Sequence, residues 1–240
     1  MSDRVGNSMN QDATSLDTCA RVHAISPAIL LSFSTGKDAV ASWLQCRKVW
    51  GEAILPYYMY LVPALEFVED SLMYYERFFG CRIKRVPHPS LYRQLDELLF
   101  QPPHRCQIIE AAALPAPKAT DLEDDLRSEN PAYSGAYAAI GVRAVDNLPR
   151  RISIKRYGAI VESKRHFYPI WDWRKADLVE AFRVAGVHLT ADYKYIGCSF
   201  DGLGYRYLKP IKDHFPRDFE RILEYYPLAD IEIFRQERMA

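Results

Sequence analysis

Residues 28–49, AILLSFSTGKDAVASWLQCRKV, constrain this chain more than any other stretch. Ala28 to Ser32 is a short apolar run bounded by Pro27, which predicts a buried strand. Asp38 to Val49 places Val40, Trp43, Leu44 and Val49 on one side, which predicts a helix. Small, hydroxylated residues join the two. A strand end, a compact loop and a helix N-terminus aim backbone N–H groups and the positive end of the helix dipole at one point, the layout of an anion cradle. Ser32, Ser34 and Thr35 add hydroxyl donors, and Gly36 lets the backbone approach a ligand closely. Lys37 adds positive charge, and Asp38 can orient the turn or help hold Mg²⁺ between phosphates. The loop is not a Walker A loop, which needs a second glycine and a hydroxyl after the lysine.

Downstream the same rhythm repeats. Ala53 to Val62 predicts a second strand, its core moved to Tyr57–Leu61 by Pro56. EFVEDSLMYYERFF predicts a helix stopped by Gly80. CRIKRVPH predicts a third strand, and SLYRQLDELLF a helix with Ser90 as N-cap. This βαβ alternation within one stretch implies a parallel α/β sheet with helices on both faces. CQIIEAAAL predicts a short helix inside a proline-bearing run. TDLEDDLRSEN predicts a short exposed acidic helix, with Thr120 and Glu123 at capping-box spacing. AYAAIGVRAVDN predicts a further strand leading into a polar loop, and WDWRKADLVEAFRVAG a helix closing on Gly186. FPRDFERILEYY and LADIEIFRQERM predict two C-terminal helices, split by Pro227.

The 240 residues suit one large domain, and the formal net charge of zero implies no global attraction to nucleic acid or acidic membrane. Charge is uneven locally. Residues 143–175 hold nine Lys or Arg against three acids, a candidate anion-binding wall. The five cysteines are scattered, with no CxxC, which argues against a structural zinc or locally encoded iron–sulfur site and fits a reducing cytoplasm. No apolar run is long enough to span a membrane. Residues 1 to about 22 are polar, lack the apolar segment of a signal peptide, and are expected to be a disordered or loosely attached leader. The nucleotide domain is then expected over 23–209, with C-terminal helices packed on it over 210–240.

SFSTGKDA resembles the SGGKDS-type PP-loop of the ATP pyrophosphatase superfamily, and more closely that of the phosphoadenosine phosphosulfate (PAPS) reductase family. Further stretches follow in the family's order. Glu66 and Phe67 match a "DTG-x-EF"-like segment. GVRAVDNLPRR resembles the "G-x-R-x-x-ES-x-x-R" block through Gly141, Arg143 and Arg150 or Arg151. Pro169, Ile170, Trp173 and Asp177 match the "P-I-x-x-W-x-x-x-D-V" block, and GCSFDG sits where the family carries "G-x-S-x-G-C-x-x-C". The resemblance implies an adenine nucleotide alpha hydrolase-like fold that binds ATP, or PAPS, with Mg²⁺. Its nucleotide contacts would be Ser32, Ser34, Thr35, Gly36, Lys37, Asp38, Gly141, Arg143, Arg150 and Arg151. Lys37, Asp38 and Arg143 would serve catalysis, and Asp38 would be the metal ligand.

The departures bear on the chemistry. Thr35 stands where the motif has a glycine and Ala39 where it has its last serine; LVP replaces DTG; Asp146-Asn147 replaces the Glu-Ser pair. Only Cys198 remains of the paired cysteines, so no iron–sulfur cluster is expected, and no cysteine follows it for a C-terminal catalytic tail. The leading expectation is therefore ATP cleavage between the α and β phosphates to activate an acceptor, possible sulfur transfer included. A sulfonucleotide reductase that uses Cys198 or a partner protein's thiol, and a nucleotide-binding regulator without turnover, are the alternatives. Nucleic acid is one conceivable acceptor, although no compact basic–aromatic motif specifies it.

Overall fold

The computed structural model describes residues 14–239. Twelve α-helices and six strands alternate among them. In chain order they are α1 (Ser15–His23), β1 (Ile29–Ser32), α2 (Lys37–Trp50), β2 (Ile54–Tyr60), α3 (Glu66–Phe79), β3 (Lys84–Pro87), α4 (Pro89–Asp96), α5 (Pro103–Ala112) and α6 (Ala119–Glu129). There follow β4 (Tyr137–Ala139), α7 (Leu148–Tyr157), β5 (Ile160–Val161), β6 (His166–Phe167), α8 (Lys175–Ala185), α9 (Ala191–Tyr195), α10 (Tyr205–His214), α11 (Pro216–Tyr225) and α12 (Asp230–Met239).

The strands form one sheet in the order β3-β2-β1-β4-β6-β5. β1 pairs with β4, β4 with β6, and β2 with β3, all parallel; β5 runs antiparallel to β6. The fold is thus α/β with a mostly parallel sheet. Strand order reverses at β1 and β4: the chain moves outward from β1 to β3, then restarts on the other side of β1. The crevice outside the carboxyl ends of such a pair is where α/β sheets bind ligands.

The chain divides into two compact units that interleave along the sequence. One holds residues 14–33, 37–56 and 125–187; the other holds 34–36, 57–124 and 188–239. In the first unit, Ile29, Leu30 and Leu31 of β1 are fully buried. Trp43 of α2, also fully buried, meets Phe33 edge-to-face at 4.9 Å. Ile170 and Leu178 bury against Ala41, and Trp173 packs on them. In the second unit, Tyr57, Leu72, Tyr75, Ile222 and Tyr226 are buried. Each such aliphatic or aromatic side chain contributes about 1.5–3 kcal/mol.

Several expectations are corrected. Residues 15–23 are not a loose leader but a helix; its part before residue 14 lies outside the described residues. Thr14 caps α1 by accepting from the Asp17 N–H, while the Asp17 carboxylate accepts from the Thr14 N–H. Cys19 and Val22 are fully buried, and the Ser15 N–H donates to Asp172 at 3.1 Å. The polar composition hid one buried stripe. His88, not Ser90, caps α4: its Nδ1 accepts from the Ser90 N–H at 2.9 Å. α6 does not use Thr120 as cap; the Asp121 carboxylate accepts from the Lys118 N–H at 2.9 Å. Nor is α6 wholly exposed, because Glu123 is buried and accepts from the Tyr57 hydroxyl at 2.8 Å. β2 begins at Ile54, ahead of Pro56, whereas the strand expected at the start of Ala136–Asn147, leading into a polar loop, is β4, Tyr137–Ala139. The two expected C-terminal helices are α11 and α12, and α10, which was not expected, precedes them.

Candidate functional site

β1 and β4 are adjacent and parallel, so the segments that follow them leave the sheet at the same edge. In the first unit this brings Lys37 and Asp38, at the start of α2, to the segment Ile140–Asp146. Arg143 is only 6% exposed, and its Nε lies 2.7 Å from Asp38 Oδ1. The Asp38 Oδ2 accepts from Lys37 Nζ at 2.7 Å. The Arg143 Nη2 donates to Asp146 Oδ1 at 2.7 Å, and Arg150 Nη1 donates to Asp146 Oδ2 at 2.9 Å. Three cations and two carboxylates therefore form one chain of charge with a positive excess. Lys37 and Arg150 are its exposed ends, Arg143 its buried middle.

Gly141 permits that convergence. A Cβ there would stand 3.0 Å from the Asp38 carbonyl carbon and 3.2 Å from the Ala39 nitrogen. Both are backbone atoms that cannot swing aside. Asn147, where the resembled block has serine, caps α7 through Oδ1, which accepts from the Arg150 N–H at 2.8 Å. The Asp-Asn pair thus sets the direction in which Arg150 leaves the helix. Arg151 is not drawn into this cluster. It lines a cavity of about 240 Å³ whose lining includes neither Lys37 nor Asp38.

Ser34, Thr35 and Gly36 belong to the second unit. Ser34 is exposed and Thr35 buried. The Thr35 Oγ1 lies 2.7 Å from Asp192 Oδ2. The other Asp192 oxygen accepts from the Thr190 hydroxyl at 2.8 Å and the Tyr193 N–H at 3.0 Å. Burial pushes the Asp192 carboxyl above the usual carboxylate range, against those hydrogen bonds. The Tyr75 hydroxyl reaches the Thr35 carbonyl at 3.4 Å. A Cβ on Gly36 would meet the Ser34 and Ser199 hydroxyl oxygens at 3.2 Å. Sequence reading missed Asp192, Tyr75 and Thr190; no motif links them to the loop. Ser32, at the end of β1, is half-buried.

The other family-like blocks turn out to hold structure. The Glu66 and Phe67 N–H groups at the start of α3 donate to the Asp218 carboxylate at 2.5 and 3.1 Å, so that helix end is already capped. Ile170 and Trp173 pack the core, and the Asp177 carboxylate accepts from the Arg174 N–H at 2.6 Å to start α8. Cys198 is half-buried, and the Arg206 Nη2 lies 2.8 Å from its Sγ.

The donor set at Asp38 does not suit Mg²⁺. Both carboxylate oxygens already face a cation at 2.7 Å, so a metal there would displace Lys37 or Arg143. Among the described residues no group of three or more His, Cys, Asp or Glu converges as a metal-ligand set. An anion fits better. The first amides of α2 have no intrahelical acceptor, and Lys37 and Arg143 supply charge-assisted donors beside them. No helix among the described residues is long and apolar enough to cross a membrane.

No protein-family model and no curated protein matches this sequence. Among solved structures, it is similar to the NH3-dependent NAD synthetase from Campylobacter jejuni subsp. jejuni NCTC 11168 in complex with the nitrate ion. The identity is 11%, the TM-score 0.45, and 92% of each chain is covered. It is also similar to the U34-tRNA thiolase NcsA from Methanococcus maripaludis with its [4Fe-4S] cluster. There the identity is 12% and the TM-score 0.45, over 90% of this chain and 78% of that one.

Proposed function

We propose that this chain is an ATP pyrophosphatase-type enzyme of the PP-loop kind. It binds the polyphosphate of ATP at the loop between β1 and α2 and cleaves between the α and β phosphates. The observation that carries the reading is the reach of Arg143 from beyond β4 to Asp38, with Lys37 on the other oxygen of the same carboxylate. A carboxylate held between two cations keeps both at the mouth of α2. An incoming polyphosphate replaces Asp38 as their partner.

The chemistry is electrostatic. An acceptor oxygen or nitrogen attacks the α phosphorus and loses its proton. The bond from the α phosphorus to its bridging oxygen breaks, and pyrophosphate leaves. Amides at the start of α2, with Lys37 and Arg143, stabilise the charge that grows on the leaving group. Arg143 suits this task because its planar fork can hold two phosphate oxygens at once. Arg150 braces Asp146, which in turn fixes Arg143. The test is pyrophosphate release from ATP. Lys37→Ala should weaken nucleotide binding by about 1.5–3 kcal/mol, as for a charged hydrogen bond. Arg143→Lys should also lower release, because a point charge cannot replace the fork. Unchanged affinity and release in both variants would sink the proposal.

A second reading, sulfonucleotide reduction, is favoured by the Arg206 guanidinium beside the Cys198 sulfur. Sulfite production from PAPS with a supplied dithiol, abolished in Cys198→Ser, would put this reading first.

A further inference from the structure

We propose that the cavity beside α7 is a second anion site, which takes a small phosphate or sulfate monoester with a flat apolar body. It lies wholly in the first unit and opens at the carboxyl edge of the sheet. The Tyr168 N–H donates to the Ala159 carbonyl at 3.0 Å and the Ala144 N–H to the Trp171 carbonyl at 2.7 Å. Those bonds place three lining residues, Ala144, Ala159 and Trp171, just past the ends of β4 and β6. This is the edge at which α/β sheets hold ligands.

The lining divides by chemistry. Arg21 from the last turn of α1, with Arg151 and Lys155 one turn apart on α7, supplies three cations. No carboxylate lines the cavity. Among the described residues, neither Arg151 nor Lys155 has a carboxylate partner in the first unit. The lining also has an apolar part: Ile154 is buried, and the Trp171 indole is pinned by its Nε1–H, which donates to Thr18 Oγ1 at 3.2 Å. Cations and a fixed aromatic surface in one small cavity describe a ligand with an anionic head and a flat body. The volume, about 240 Å³, falls below the range of roughly 300–1,000 Å³ that drug-sized ligands occupy, so the ligand is small. Four of the nine cations of residues 143–175 thereby divide between two places. Arg143 and Arg150 serve the cluster at Asp38, whereas Arg151 and Lys155 serve this cavity. A co-substrate of the proposed ATP chemistry would have this form, and only that identification rests on the ATP reading.

Calorimetric titration of the full chain with phenyl phosphate, phenyl sulfate and inorganic phosphate tests the site, with ATP titrated separately. One of the two esters should bind, more tightly than inorganic phosphate, and should not compete with ATP. The double variant Arg151→Ala/Lys155→Ala should lose ester affinity tenfold or more yet bind ATP as before, which also reports an intact fold. Arg156→Ala, on the same helix but outside the lining, should change nothing. Absence of ester binding, competition with ATP, or unchanged ester affinity in the double variant would each overturn the proposal. So would an equal loss in Arg156→Ala, which would mark a diffuse polyanion surface. If the ester binds as proposed while Lys37→Ala leaves ATP affinity unchanged, the loop reading fails and the cavity stands.

Discussion

Thr35 holds a backbone angle that its side chain resists. Its φ is 61°, in the left-handed region that glycine enters freely and a β-branched residue does not. Such a conformation costs on the order of 1–3 kcal/mol and persists where its surroundings enforce it. Asp192 and Tyr75 do so here, through the Thr35 hydroxyl and carbonyl. The glycine of the resembled motif has therefore been exchanged for a strained residue with an anchor. Thr35→Val keeps the strain and removes the anchor, whereas Thr35→Gly removes both. Urea unfolding should find the valine variant less stable than the glycine variant by about 1 kcal/mol or more. The reverse order would mean that the angle is not strained. Asp192 adds a pH signature. Its raised pKa means that the folded chain binds this proton at a higher pH than the unfolded chain. Its contribution to stability therefore grows as pH falls from the raised value towards the usual carboxylate range, and is constant below it. Relative to Asp192→Asn, wild type should gain stability as pH falls towards the usual carboxylate range, and a flat difference would contradict this. Lys37 and Asp38 were legible in the sequence because strand, loop and helix are contiguous. Asp192 was not, since it stands 157 residues from Thr35 and nothing local marks a buried carboxylate.

Gly141 shows how one position joins two elements. The segment after β4 passes the start of α2 so closely that a Cβ would touch backbone at 3.0 Å. Gly141→Ala should push that segment outward, lengthen the Arg143–Asp38 contact and lower nucleotide affinity. The overpacking should cost about 1–3 kcal/mol in stability. An alanine variant with wild-type stability and nucleotide affinity would show that the two segments can part freely. Element legibility followed the strength of the local pattern. α2 and α3 each present a buried stripe, Leu178 and Phe182 of α8 pack on one core cluster, and α3 and α8 also end on a glycine with positive φ, so all three stood out. β5 and β6 have two residues each, too few for any alternation to register. Helix α7 went unseen because only Ile154 of its residues is buried, and four cations take the place of a polar–apolar stripe. Helix α1 was read as a leader because its buried face consists mostly of Ser15, Thr18 and Cys19, which hydropathy does not separate from solvent-facing residues.

For the whole molecule, the proposed nucleotide is best tested as a stabiliser, because anything that binds only the folded state raises its stability by mass action. A ligand at about 100 times its Kd contributes about 2.7 kcal/mol. For a chain of this length each kcal/mol moves the melting temperature by roughly 2–4 °C, so a true ligand should raise it by roughly 5–11 °C. ATP, PAPS and adenosine phosphosulfate can be ranked in this way without knowledge of the acceptor. The magnitude also separates specific from generic effects. Lys37 is partly exposed, so its pairing with Asp38 contributes about 0–1 kcal/mol to the unliganded fold. Lys37→Ala should therefore leave the unliganded melting temperature within a few degrees of wild type, yet remove most of the shift that ATP induces. A shift by ATP that survives Lys37→Ala would place the nucleotide elsewhere on the molecule. A shift by PAPS or adenosine phosphosulfate but not by ATP would move the loop from ATP cleavage to the sulfonucleotide reading, with the charge cluster at Asp38 still its anchor.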